Sequence, residues 1–152
     1  GYVLAAIETQ QYSRSLAFNG SGHFLHCLFW RGMSPDGGGD PDGAIRERMG
    51  LDFASMNQFR YHFEEAAAQV EGSGWTILAY EPVSAQLRIL QAQNHQHVAS
   101  WGAVPLLALD MWEHAYYLKH RNDRRAYVKS WFEVVDWSWV NTRYEAITAA
   151  MT

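Results

Sequence analysis

Val104-Pro105-Leu106-Leu107-Ala108-Leu109-Asp110-Met111-Trp112-Glu113-His114 changes character at Asp110, and the rest of the chain is read outward from there. The six residues before Asp110 form an apolar run of strand length, whereas Trp112, Ala115, Tyr116 and Leu118 recur with helical spacing. A carboxylate therefore stands at a strand tip, and an imidazole follows one helical turn later. Residues four apart share a helix face, so Asp110 and His114 can converge on one cation. The competing reading is an N-capping Asp110 beside a surface His114.

Upstream, Trp75 to Tyr80 and Gln86 to Gln91 are short runs rich in Ile, Leu and aromatic residues. Glu81-Pro82-Val83-Ser84 separates them as a hairpin turn would, which makes three strands with 104–109. Helices are predicted over 4–17 and 23–30, with a break at Asn19-Gly20-Ser21-Gly22. Pro35, Pro41 and three consecutive glycines predict a loop over 34–43. Two helices follow, over 43–49 and 55–70, the second with Ser55 as N-cap and Met56, Phe59, Phe63, Ala66 and Val70 as its buried stripe. Past the strands, helical patterns return at Tyr127 to Val135 and Val140 to Ala149. Helices, a small sheet, then helices argue for a helical first part packed on an α+β second part, with the change near Glu71-Gly72-Ser73-Gly74.

Composition removes several classes of function. A formal net charge of -4 and the lack of any Lys/Arg run argue against nucleic acid as partner. Cys27 is the single cysteine, so an internal disulfide or a Cys-rich zinc framework is excluded. No apolar run reaches bilayer-spanning length, and Gly1 to Thr9 lacks the features of a secretion signal, so the expected setting is cytoplasmic with no membrane partner. The aromatic residues fall at helical and strand spacing, which assigns them to packing rather than base stacking. Metal chemistry here must rest on His and carboxylate groups. His23 and His26 lie three apart on the second helix, and either can join Asp110 and His114. Two His and one carboxylate suit iron, manganese or zinc and leave coordination positions open to a small substrate.

These stretches also resemble a known family. Phe18-Asn19-Gly20-Ser21-Gly22-His23-Phe24-Leu25-His26-Cys27-Leu28-Phe29-Trp30 resembles the helix bearing the second metal ligand of the iron/manganese superoxide dismutases, with the ligand on His26. Ser34-Pro35 through Gly37-Gly38-Gly39-Asp40-Pro41 resembles the loop that follows it, and Gly72-Ser73-Gly74-Trp75 the opening of a strand at the active site. Asp110 to Leu118 is close to the family signature, and Val135-Asp136-Trp137 with Arg143-Tyr144 resembles the closing helices. The likeness runs over about residues 16 to 147.

The resemblance implies an α+β fold: residues 1–32 as the remainder of an N-terminal helical hairpin domain, and 33–152 as a C-terminal domain with a three-stranded antiparallel sheet flanked by helices. It implies His26, Asp110 and His114 as metal ligands, Trp75 and Trp112 as pocket walls, and His95 as donor to solvent at the metal. A solvent-facing loop residue is the alternative for His95 and the expected state of His97. Glu113 and Tyr117 are implied to reach across a subunit interface, hence a homodimer or homotetramer. The ion is manganese or iron, one per subunit, with a lean to manganese because Gly22 stands where many iron forms carry Gln. The implied activity is disproportionation of superoxide to dioxygen and hydrogen peroxide, with Arg143 as a candidate cation for the substrate funnel. The family's first ligand is a His on an N-terminal helix, and nothing before His23 is a His, so the chain is expected to be N-terminally incomplete. The alternative function is a catalytically impaired, metal-binding remnant. A zinc hydrolase on the same residues is disfavoured, since no general base stands out beside them.

Overall fold

The computed structural model describes residues 2–95 and 102–151, with side chains in the first helix from residue 12 onward. His97 lies outside the described residues. Nine elements follow in order: α1 (Tyr2–Arg31), α2 (Gly43–Phe53), α3 (Met56–Ala68), β1 (Gly74–Glu81), β2 (Gln86–Gln93), β3 (Val104–Asp110), α4 (Glu113–His120), α5 (Arg124–Phe132) and α6 (Trp137–Ala149). The fold is α+β, with the expected three-stranded antiparallel sheet. Among the described residues no helix is long and apolar enough to cross a membrane.

One local expectation fails. The helix does not break at 19–22, and α1 runs unbroken through Gly20 and Gly22. Glycine costs a helix about 1 kcal/mol relative to alanine, which packing can outweigh. Asn19 serves the helix by donating to the Ser15 carbonyl at 2.9 Å. Gly22 is buried beneath another side chain, the His95 ring, which a Cβ would meet at 3.2 Å. Its lack of a side chain reflects close packing rather than a turn.

The sheet has the order β2-β1-β3, so β1 is hydrogen-bonded on both edges. All of β1 from Gly74 to Tyr80 is buried, as is β3 from Pro105 onward, consistent with strands covered on both faces. The C-terminal half of α1 packs on β3, α3 lies against α5 and the sheet, and α2 lies against α6. Ser55 caps α3 as predicted, accepting from the Gln58 amide at 3.2 Å. The buried stripe of α3 is Phe59, Phe63 and Ala67, with Ala67 in the place expected for Ala66. Phe63 stacks on Trp131 at 5.6 Å and 10°, joining α3 to α5.

The register places three candidate site residues at one end of the sheet. Trp75 pairs with Asp110 on one side and with Ala92 on the other, and His95 follows two residues past β2. Gly74 permits this closure: a Cβ there would lie 2.2 Å from the Ala92 carbonyl oxygen. Gly74→Ala is therefore expected to force β1 and β2 apart and to lower unfolding stability by about 1–3 kcal/mol. A denaturant midpoint equal to wild type, at unchanged slope, would show that the strands separate there without cost.

Candidate metal centre

Asp110 ends an apolar strand, and its side chain is held from two sides. Oδ1 accepts the Trp112 amide at 2.9 Å, closing the turn from β3 into α4. Oδ2 faces two imidazoles, with His114 Nε2 at 2.9 Å and His26 Nε2 at 3.4 Å. Capping and metal-binding readings of Asp110 are thus compatible, one on each oxygen. Only 1% of the residue is exposed, and burial pushes its carboxyl above the usual carboxylate range, opposed by the Trp112 amide and His114.

The imidazoles are aimed by their other contacts. His26 Nδ1 lies 2.7 Å from the Gly22 carbonyl, a group that can only accept. The proton is therefore on Nδ1, and Nε2 presents its lone pair beside Asp110. His23 is exposed, with its Nε2 3.7 Å from Cys27 Sγ, and takes no part in the cluster. His114 stands one turn after Asp110 on α4, its ring 5.9 Å from that of His26.

Around these three groups, Trp75 and Trp112 form walls. Trp75 is fully buried and meets His26 edge-on at 4.9 Å. Trp112 stacks on His95 at 4.5 Å and 12°, and its indole N–H donates to the Asn94 carbonyl at 3.4 Å. His95 is 7% exposed, which removes its solvent-facing alternative. Its Nδ1 accepts the Trp75 indole N–H at 2.9 Å. Since indole can only donate, the His95 proton resides on Nε2. Burial, and next the charge of His26, hold this imidazole below its ordinary pKa, so it is neutral near pH 7. Glu113 and Tyr117 lie apart from the cluster on the exposed face of α4.

Donor chemistry provides a test of whether a metal fits. His26, Asp110 and His114 each offer one ligand atom, all within 4.8 Å of one another. Neighbouring ligands about 2.1 Å from a shared cation at near-right angles stand roughly 3 Å apart, and Asp110 Oδ2 lies 2.9 Å from His114 Nε2 and 3.4 Å from His26 Nε2. A cation would also compensate the buried carboxylate. A cleft of about 480 Å³ opens onto the three residues, lined also by Lys119, His120, Tyr127 and Trp131. Arg143 is not among its lining residues. That side chain donates to the Pro105 carbonyl at the opposite end of β3, at 3.0 Å, whereas Lys119 and His120 line the cleft. Sequence reading missed the Gly22 carbonyl and the contact of Phe18 with His95, whose shared signal is the four-residue spacing of positions 18, 22 and 26.

Residues 41–143 match the family model described as iron/manganese superoxide dismutases, C-terminal domain. The chain is 48% identical over 134 residues to a probable superoxide dismutase [Fe] of Bacillus subtilis, covering 88% of this chain and 48% of that protein. It is 47% identical over 131 residues to superoxide dismutase [Mn] 2 of Halobacterium salinarum, covering 86% and 64%. It is 42% identical over 141 residues to superoxide dismutase [Mn/Fe] of Aeropyrum pernix, covering 91% and 66%. The chain thus spans about half to two thirds of the length of these relatives.

A folded pKa raised above its ordinary value of 3.8 means that Asp110 holds its proton to higher pH in the metal-free native state than in the unfolded chain. Its contribution to stability is complete below that value and lost as pH rises through the raised one. Asp110→Asn, which keeps an oxygen for the Trp112 amide, is expected to make the metal-free protein more stable at neutral pH, with the difference vanishing in acid. Its metal affinity should fall by more than the ~100-fold that losing an outer hydrogen-bond partner costs. Melting curves across pH, with metal titrations, check both; a lower neutral-pH midpoint for metal-free D110N would contradict the charge-burial account.

Proposed function

The chain belongs to the iron/manganese superoxide dismutases, and from that membership we propose that it disproportionates superoxide at a mononuclear manganese or iron site held by His26, Asp110 and His114. The observation that carries this reading is the convergence of His26 Nε2, Asp110 Oδ2 and His114 Nε2 beside a buried, neutral His95. When bound, the ion supplies one-electron exchange, by which one superoxide becomes dioxygen and the next, with two protons, hydrogen peroxide.

The protein's own groups set the conditions for that exchange. Asp110, itself buried, supplies fixed negative charge, which favours binding of the cation and lowers the potential at which it is reduced. His26 and His114 complete a mixed N/O set that accepts either metal and leaves positions open to a small anion. Manganese is favoured over iron because the donor, His95, comes from the segment after β2, whereas Gly22 stands at the helix position where many iron forms carry Gln. His95 Nε2–H holds a proton at the site and orients solvent there, while the Trp75 indole prevents the opposite tautomer. Lys119 at the cleft gives a local positive charge for an anionic substrate, although the chain is acidic overall. Glu113 and Tyr117, one turn apart on exposed α4, are assigned to a subunit contact in a homodimer or homotetramer. The setting assigned is cytoplasmic.

The test is superoxide decay on the manganese- and iron-loaded protein, both as this chain and joined to the N-terminal segment of the Bacillus subtilis relative. Catalysis in either form, with one ion per chain, supports the proposal. Stoichiometric metal in both forms with decay no faster than with free ion would overturn it. In the active form, His95→Ala should retain metal and lose about 10–100-fold in rate.

A further inference from the structure

Trp112 and Trp75 constrain the His95 imidazole in two different ways. Trp112 covers one face, fixing the plane of the ring at 12° to the indole. Trp75 engages Nδ1, fixing one point on its edge. A stacked ring can still slide and turn within its own plane, because stacking energy depends weakly on in-plane rotation. Such a turn would break the 2.9 Å bond to Trp75 and carry the Nε2–H away from the place where it serves the metal site. The helix backbone at Gly22 lies close under the ring, with a Cβ position 3.2 Å from Cδ2 and 3.3 Å from Cγ. Gly22 therefore limits approach from below.

Phe18 supplies a further stop. Its ring meets His95 edge-on, with centroids 4.7 Å apart and planes at 71°, and it also meets Trp112 edge-on at 6.3 Å. Positions 18, 22 and 26 lie at successive turns of one helix face, so α1 carries a ring, a gap and an imidazole in line. Phe18 is 37% exposed, against 77% for Tyr12 and 75% for Leu16 on the same helix, so its ring is partly covered where its neighbours are not. We infer that Phe18 is a positioning residue, holding His95 in the one in-plane orientation that joins Nδ1 to Trp75 and keeps the proton on Nε2. The inference rests on the role proposed for His95 above.

NMR on the metal-free protein tests it without reference to catalysis. Hydrogen exchange of the Trp75 indole N–H reports the Trp75–His95 bond, and the His95 ring nitrogen shifts report the tautomer. The Trp137 indole, which donates to the Gly39 carbonyl at 3.0 Å, serves as a remote control. Phe18→Ala should speed Trp75 exchange by about tenfold or more, mix the His95 tautomers, and leave Trp137 exchange and the melting midpoint unchanged. Phe18→Tyr, which retains the ring, should restore wild-type behaviour. Unchanged Trp75 exchange in Phe18→Ala would overturn the inference, as would equal acceleration at Trp137, which would signify general loosening. A wild-type protein without dismutation but with this Phe18-dependent exchange would sink the proposed activity and leave the positioning role standing.

Discussion

Asp110 places a carboxylate at 1% exposure at the tip of a buried strand, and the surrounding structure is arranged around the difficulty of keeping it there. One oxygen is satisfied locally by the Trp112 amide, which also sets the direction in which α4 departs. The second faces two imidazole nitrogens from different elements, His26 on α1 and His114 on α4. Burial outweighs what the Trp112 amide and the two imidazoles return, and the carboxyl is held above its ordinary range. A divalent or trivalent cation held by Asp110, His26 and His114 would remove that penalty. The cost of burying Asp110 without metal and the affinity of the site are thus two expressions of one charge in one place.

Direction in the site is set by groups that can hydrogen-bond in only one sense. A carbonyl accepts and an indole N–H donates, so Gly22 fixes the proton of His26 on Nδ1 and Trp75 fixes that of His95 on Nε2. The two histidines have opposite tautomers, and each is set by a residue outside the His26, Asp110 and His114 cluster. One presents a lone pair for a cation, and the other holds a proton. That division of labour follows from which partner faces Nδ1 and requires no difference in intrinsic basicity.

Much of this was legible in the sequence because strand and helix periods differ. The apolar run ending at Leu109 and the helical spacing from Trp112 placed Asp110 at a junction, and the runs at 75–80 and 86–91 are the cores of observed strands. The resemblance in the Phe18–Trp30 and Asp110–Leu118 stretches separated His26 from His23, which spacing alone left equal. Two readings failed for physical reasons. Asn19-Gly20-Ser21-Gly22 has turn composition, but a glycine wanted for close packing and one wanted for a positive φ look the same in sequence, and Gly22 is the first kind. Arg143 was considered for the substrate funnel, yet a guanidinium can as readily serve a carbonyl, and its position at the far end of β3 depends on how α6 crosses the sheet.

Continuity of α1 has a mechanical consequence that a broken helix would lack. A turn at 19–22 would let the segment before it move independently of His26. In one rigid helix, Phe18, Gly22 and His26 keep a fixed spacing, so rotation or translation of α1 shifts the ligand, the gap and the ring against His95 together. The candidate ligand His26 and the ring that meets His95 are then coupled through a single element. Substitutions on this face should be non-additive in their effects, since each changes the seat of the same helix against Trp75, Trp112 and β3. The sheet end fixes Trp75 and Asp110 relative to one another through direct backbone pairing. The centre therefore reduces to two rigid bodies, and the fit of α1 on the sheet end is the variable that decides whether metal and proton stand in working relation.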